Sequence, residues 1–257
     1  MRTAAILPVK RFAGAKRRLG ASVADPLRGD LARAMVGDVL VALAEAESIA
    51  QTIVVTGEAS VVAAARHRGA LVVEDGAEEG QSAAVALGVE RALAEGFERA
   101  LCIPGDCPAL DPAELDALLG MPGAAETPTS PGDGESPPGA SETPVSRSAG
   151  GSPPGTRTVT IVPDRHGTGT NGLLLTPPDL LPASFGPGSF ERHRALARET
   201  GAVCRIERPA SLLLDVDTGE DLAALRERLS CQQTRAPRTR AVLGLSRTPC
   251  LASAPAA

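Results

Sequence analysis

The sequence predicts an α/β domain, and three observations carry that prediction. Short apolar, β-branched runs alternate with amphipathic stretches, the pattern of parallel strands joined by helical crossovers. The chain has 257 residues, enough to bury one large core. Hydrophobic residues make up 43% and charged residues 22%, ordinary values for a globular protein.

TAAILPV (3–9) reads as the first strand and LRGDLARAMVGDVLVALAEA (27–46) as a long helix behind it. TIVVTG (52–57) is a second strand, and ASVVAAARHRG (59–69) is a helix stopped by its glycine. The unit repeats with ALVVED (70–75) as strand and QSAAVALGVERALAEG (81–96) as helix, then ERALCIPGD (98–106) runs from strand into a Pro- and Gly-bounded loop. From Pro122 to Thr156, 25 of 35 residues are Pro, Gly, Ser or Thr, with almost nothing to bury, so this stretch reads as a disordered insertion within one domain. Structure resumes at TVTIVPD (158–164), a GLLLT strand (172–176), a helix near SFERHRALARET (189–200), a VCRIE strand (203–207) and a last helix after Asp217. The domain is expected to end near residue 230. The tail 231–257 carries four Arg and no acid and reads as disordered and basic.

Composition excludes several functions. No apolar run approaches the roughly 18–20 residues that span a bilayer, so no membrane partner is expected. The first apolar run precedes its positive charges, the reverse of a signal peptide, so Met1 is the expected start of the mature chain. Five scattered cysteines, an odd number without metal-ligand spacing, indicate a reducing compartment and hence the cytoplasm. A net charge of -5, four Phe and no Tyr or Trp leave neither a basic surface nor stacking platforms for nucleic acid.

The chain has only two Lys against 24 Arg, and both lie in the loop after the first strand, PVKRFAGAKRRL. Lys10 and Lys16 read either as parts of a solvated basic loop or as compact charges for a triphosphate at the carboxyl edge of the sheet, where open α/β folds bind ligands. Neither GxxxxGK[ST] nor GxGxxG occurs there. Asp106, in Pro104-Gly105-Asp106-Cys107-Pro108, falls on the same edge and is either a turn residue or a Mg²⁺ ligand. Asp215 and Asp217 alternate onto one face and are further metal candidates, although Asp217 also has capping-box spacing to Glu220. The segment 164–172 offers Arg165, Thr168, Thr170 and Asn171 to a ligand, or is a plain hairpin connection. Ser189 falls at the N-cap position of a helix, a place that suits an anion. His166 and His193 lack nucleophile partners and read as surface residues.

Five motifs together, LPVKxxxxAKxRL, PGDCP, PDRxGxGTNxLLL, FGPGSFxxH and a late DVDT, resemble one family. It is the 2-phospholactate or phosphoenolpyruvate guanylyltransferases of coenzyme F-420 biosynthesis, and the resemblance covers about residues 3–120 and 157–229. It implies a single-domain glycosyltransferase-A-like (nucleotide-diphospho-sugar transferase) fold with a mixed, mostly parallel sheet between helices. It also implies transfer of GMP from GTP to the phosphate of a small three-carbon acid, with pyrophosphate released and Mg²⁺ required. On that resemblance Lys10 and Lys16 hold the triphosphate, Asp106 with Asp217 holds Mg²⁺, and Thr170, Gly186 and Ser189 bind the acceptor. The loop with Gly80 and Ser82 resembles the purine-contacting segment, with Ser82 where Asn is usual. Implied partners are GTP, the phosphorylated acid and a downstream transferase that uses the unstable product; the sequence leaves a homodimer open. Two rivals stand beside this reading. A molybdopterin or sugar-phosphate nucleotidyltransferase would open with an LAGGxGxRxG-type loop, absent here, and a non-catalytic nucleotide binder would not need both Lys, Asp106 and Asp217.

Overall fold

A computed structural model describes residues 1–13, 19, 24–120, 156–231 and 235–245. The described strands are β1 (Thr3–Val9), β2 (Gln51–Thr56), β3 (Leu71–Glu74), β4 (Arg99–Cys102), β5 (Thr158–Pro163), β6 (Thr170–Thr176) and β7 (Val203–Ile206). They form one mixed sheet in the order β3-β2-β1-β4-β6-β5-β7. All pairings are parallel except those of β6, which lies antiparallel between β4 and β5. The helices are α1 (Asp25–Glu45), α2 (Ala59–His67), α3 (Gln81–Ala94), α4 (Pro112–Gly120), α5 (Ser189–Glu199), α6 (Gly219–Cys231) and α7 (Pro237–Val242).

The strands are apolar almost throughout because both faces of the sheet are covered. Along β1, Ala5, Leu7 and Val9 point to one face, where they meet Val39 and Leu43 of α1 and Leu115 of α4. Ala4 and Ile6 point to the other, against Val85 of α3. Gly88 of α3 lies so close to β1 that an added Cβ would come within 2.4 Å of the Ile6 side chain. A third apolar cluster joins Leu31 and Met35 of α1 to Leu222, Leu225 and Leu229 of α6.

This order of strands decides where the site forms. The parallel strands β1 to β4 deliver their carboxyl ends to one edge. Because β6 runs the other way, with Cys102 opposite Leu173, its beginning arrives at that same edge. Thr170 and Asn171 therefore stand beside the loop that follows β4.

Two elements go beyond the expectations. Helix α4 was not foreseen after the Asp106 loop; it starts at Pro112, and Asp111 Oδ1 accepts from the Ala113 N–H at 2.9 Å. The tail expected to be disordered instead contains α7, packed on α1. Asp38 of α1, 4% exposed, accepts from the Arg238 and Thr239 N–H groups at 3.2 and 2.8 Å. It thereby caps α7 from 200 residues away. Of the Pro- and Gly-rich insertion expected at 122–156, all but Thr156 lies outside the described residues, as do residues 246–257. Among the described residues no helix is long and apolar enough to cross a membrane.

Replacing Asp38 with Ala removes both acceptors, and the loss of such a cap costs about 1–2 kcal/mol. The urea midpoint of Asp38→Ala is expected to fall accordingly, with limited proteolysis starting at the C-terminal segment. An unchanged midpoint would contradict the docking described.

Candidate active site

A cavity of about 630 Å³ opens at the carboxyl edge of the sheet, between the loops that follow β1, β3 and β4. Lys10, Arg11 and Phe12 line it from the β1 loop, Asp75, Glu78 and Gln81 from the β3–α3 connection, and Gly105, Asp106 and Asp217 from the far side. The β1 loop is held by carboxylates of its neighbours. Glu58 accepts from the Phe12 N–H at 3.1 Å, and Glu78 accepts from the Arg11 N–H at 3.3 Å. The bond from Phe12 is the main reason that the Glu58 carboxyl sits below the usual range. Lys10 is exposed at the cavity wall, and Lys16 lies outside the described residues.

Asp106 and Asp217 come together through the backbone. The Val216 N–H donates to the Asp106 carbonyl at 3.1 Å, tying the loop after β4 to the segment before α6. Both aspartates line the cavity. The capping of α6, a rival role for Asp217, belongs to other residues. Thr218 Oγ1 accepts from the Asp221 N–H at 3.2 Å, while Asp221 Oδ2 accepts from the Thr218 N–H at 2.8 Å, a reciprocal capping box. Asp217 is thereby left at the cavity wall.

Asp215 has a different place. It is largely buried, is absent from the cavity wall, and its Oδ1 accepts from Asn171 Nδ2 at 3.1 Å. Burial first, then the negative charge of Asp106, pushes its carboxyl up to about 6. Among the described residues no three His, Cys, Asp or Glu side chains meet as a metal-holding group. Asp215, expected as a third metal ligand, instead lies off the cavity wall with its Oδ1 on Asn171. Two carboxylates, Asp106 and Asp217, remain, and hard oxygen donors in that number suit Mg²⁺, which keeps waters and takes phosphate oxygens for the rest.

Thr170, Gly186 and Ser189 form a second group, at the N-terminus of α5. Ser189 is 1% exposed and donates its N–H to the Gly186 carbonyl at 3.0 Å. The N-cap is Gly188, in the left-handed region at φ 72°, so Ser189 is the first helical residue and not the cap expected from sequence. Gly186 is also left-handed, at φ 108°. Arg192 gathers the loop carbonyls outward: its guanidinium donates to those of Ser184, Phe185 and Pro187. Two hydrogen bonds tie this group to residues that neighbour the cavity wall, Asp215 two positions before Asp217 and Ser82 next to Gln81. Asn171 reaches Asp215, and Ser82 Oγ at the start of α3 accepts from the Phe185 N–H at 2.9 Å. Gly80 is the N-cap of α3 at φ 113°, and α3 turns Gln81 and Ala84 toward the cavity.

Four residues singled out in the sequence have partners or burial that the sequence does not display. Arg165 does not present an open fork to a ligand, since it pairs with Asp221 at 2.7 Å and Glu220 at 3.0 Å. Asn171 is 4% exposed, and its amide also donates to the Leu212 and Leu213 carbonyls, so it pins the Asp215 segment rather than a substrate. Ser82 Oγ accepts from the Phe185 N–H, and Ser82 is not among the residues that line the cavity. His193, taken for a surface residue, is wholly buried. His166 is exposed, as expected. Asp75 and Glu78 are cavity residues that the sequence alone did not single out; the signal was their place immediately after a strand end on the ligand edge.

The fold and this site define a nucleotidyltransferase. Residues 13–149 match the MobA-like NTP transferase domain. The chain is 43% identical over 243 residues to phosphoenolpyruvate guanylyltransferase of Conexibacter woesei, covering 95% of this chain and 96% of that one. It is 28% identical to 2-phospho-L-lactate guanylyltransferase of Methanothermobacter thermautotrophicus, over 88% and 84% of the two chains. The fold is similar to that of a protein from Desulfovibrio desulfuricans G20 described as a nucleotide-diphospho-sugar transferase, with TM-score 0.66, 16% identity and 95% coverage of both chains. The chain belongs to the phosphoenolpyruvate guanylyltransferase family.

The buried Asp215 sets a pH test. Its folded pKa of about 6 lies above the ordinary 3.8, so the folded chain holds an extra proton between those values. Stability contributed by this group therefore falls as pH rises through that window and is flat above it. In chelated protein, Asp215→Asn is expected to melt above the parent at pH 7.5, with the difference closing below about pH 4. Equal melting temperatures at both pH values would contradict the assigned environment.

Proposed function

We propose that this protein transfers GMP from GTP to the phosphate of phosphoenolpyruvate, with 2-phospho-L-lactate as the alternative acceptor. The observation that carries the reading is the convergence of Lys10, Asp106 and Asp217 on one cavity, with the anion-suited start of α5 tied by hydrogen bonds to residues next to that wall. An acceptor phosphate oxygen attacks the α-phosphorus as the bond from that phosphorus to the α–β bridging oxygen breaks. One phosphate ester becomes a diphosphate, and pyrophosphate departs carrying the electron pair. The acceptor is already anionic at neutral pH, so no general base is required, and the protein's work is positioning and charge neutralisation.

Lys10, with Lys16, would neutralise the triphosphate. Asp106 and Asp217 would hold Mg²⁺, which supplies further neutralisation of phosphate charge when bound. The first-turn N–H groups of α5, with Thr170 and Ser189, would receive the acceptor's negative groups. Guanine presents N1–H and N2–H donors, and the carboxylates of Asp75 and Glu78 on the β3–α3 side are acceptors of the matching kind. The names of the relatives support phosphoenolpyruvate first. An activated diphosphate product calls for a downstream transferase that consumes it, in the pathway to coenzyme F-420. A cytosolic setting accords with free Cys102 and Cys231.

The test is pyrophosphate release with Mg²⁺, comparing GTP with ATP and phosphoenolpyruvate with 2-phospholactate and 3-phosphoglycerate, with the downstream transferase present to draw off product. Acceptor-dependent release with GTP is expected, and Asp106→Asn should lower it at least about a hundredfold while remaining folded. Silence in every well, or full activity of Asp106→Asn, would overturn the reading.

A further inference from the structure

The two nitrogens of His193 are both engaged, and the partners fix its tautomer. Nε2 faces the Ser184 N–H at 3.0 Å. A backbone N–H can only donate, so Nε2 must accept and carries no proton. The single ring proton is therefore on Nδ1, which faces Thr170 Oγ1 at 3.0 Å. The ring donates this proton and the Thr170 oxygen accepts it. That leaves the Thr170 hydroxyl with its own proton to give elsewhere, and the rotor is no longer free to turn that proton toward the ring.

The surroundings keep this arrangement in place. His193 is 0% exposed, packs edge-on against Phe185 at 5.0 Å between ring centres, and lies one helical turn below Ser189. Burial first, then the Arg192 charge, holds its pKa down to about 4, so the ring is neutral at working pH. A protonated ring would set a second N–H against the Ser184 N–H.

We propose that His193 is a positioning residue that makes the Thr170 hydroxyl an obligatory hydrogen-bond donor to the anionic acceptor at the start of α5. This rests on the acceptor site proposed above. The donor role sorts ligands by chemistry: a carboxylate or phosphate oxygen satisfies the Thr170 proton, whereas a neutral donor group at that point would be left opposing it.

Two conservative variants separate the roles of the two nitrogens. Glutamine places its amide oxygen near the position of Nε2 and keeps the Ser184 contact, but lacks the donor to Thr170. Asparagine places an amide N–H near the position of Nδ1 and restores that donor. His193→Gln is expected to raise the KM for phosphoenolpyruvate about tenfold, with the KM for GTP unchanged, and His193→Asn to recover most of the loss. Thr170→Val should raise the acceptor KM similarly, and adding His193→Gln to it should change nothing further, because both act through one hydroxyl. The unchanged KM for GTP shows that a variant is folded. If His193→Gln does not fold, His193→Asn and Thr170→Val carry the test: a parent-like acceptor KM in the first and a raised one in the second support the proposal. Additive losses in the double variant, equal losses in both histidine variants, or a Thr170→Val enzyme with the parent's acceptor KM would overturn it. A parent enzyme silent with every acceptor would instead remove the proposed function on which it stands.

Discussion

The site depends on the placing of one reversed strand. Six strands of the sheet point the same way, and β6 is inserted antiparallel between β4 and β5. In a wholly parallel sheet the start of β6 would lie at the opposite edge, a strand length from Asp106. Reversal brings Thr170 and Asn171 beside the loop after β4, where Asn171 holds the Asp215 segment. The Val216 N–H to Asp106 carbonyl bond completes the assembly by clasping the segment before α6 to the same loop.

Electrostatics then gives the assembled edge its character. Asp106, Asp215 and Asp217 are gathered against their mutual repulsion, which is part of why the Asp215 carboxyl is pushed up to about 6. Burial costs more than the Asn171 hydrogen bond returns, and a cation beside Asp106 and Asp217 would offset the remaining charge. On the other side of the site the sign is opposite. Arg192 draws the loop carbonyls outward and α5 offers its first amides, so the region suits anions. On the proposed function, the wall with Asp106 and Asp217 would hold a cation and the start of α5 an anion, the arrangement that transfer between two phosphates requires.

Most of the sheet and its crossover helices was legible in the sequence, because apolar periodicity reports burial and the burial here is regular. Helix α7 was not legible: six residues with two Arg have no helix-forming advantage of their own, and their order comes from Asp38, 200 residues earlier. Asp106 was readable as a cavity residue from its place after β4, whereas Asp217, expected at a strand end, reaches the cavity from the segment just before α6. The settings of Arg165 and Asn171 were not legible because the sequence displays donors and not their partners, and those partners, Asp221 and Asp215, lie more than forty residues away. His193 was misread for the same reason. Its spacing of four from Ser189 put the ring under the first turn of α5, but only the fold supplies Ser184 and Thr170 on its two sides.

The most direct test of the account is the structure of the protein with a non-hydrolysable GTP analogue, Mg²⁺ and phosphoenolpyruvate. The triphosphate is expected in the cavity with its phosphates toward Lys10, the metal between Asp106 and Asp217, and the acceptor phosphate held at Thr170 and Ser189 facing the α-phosphate. A nucleotide bound outside this cavity, or an acceptor bound away from the start of α5, would contradict it.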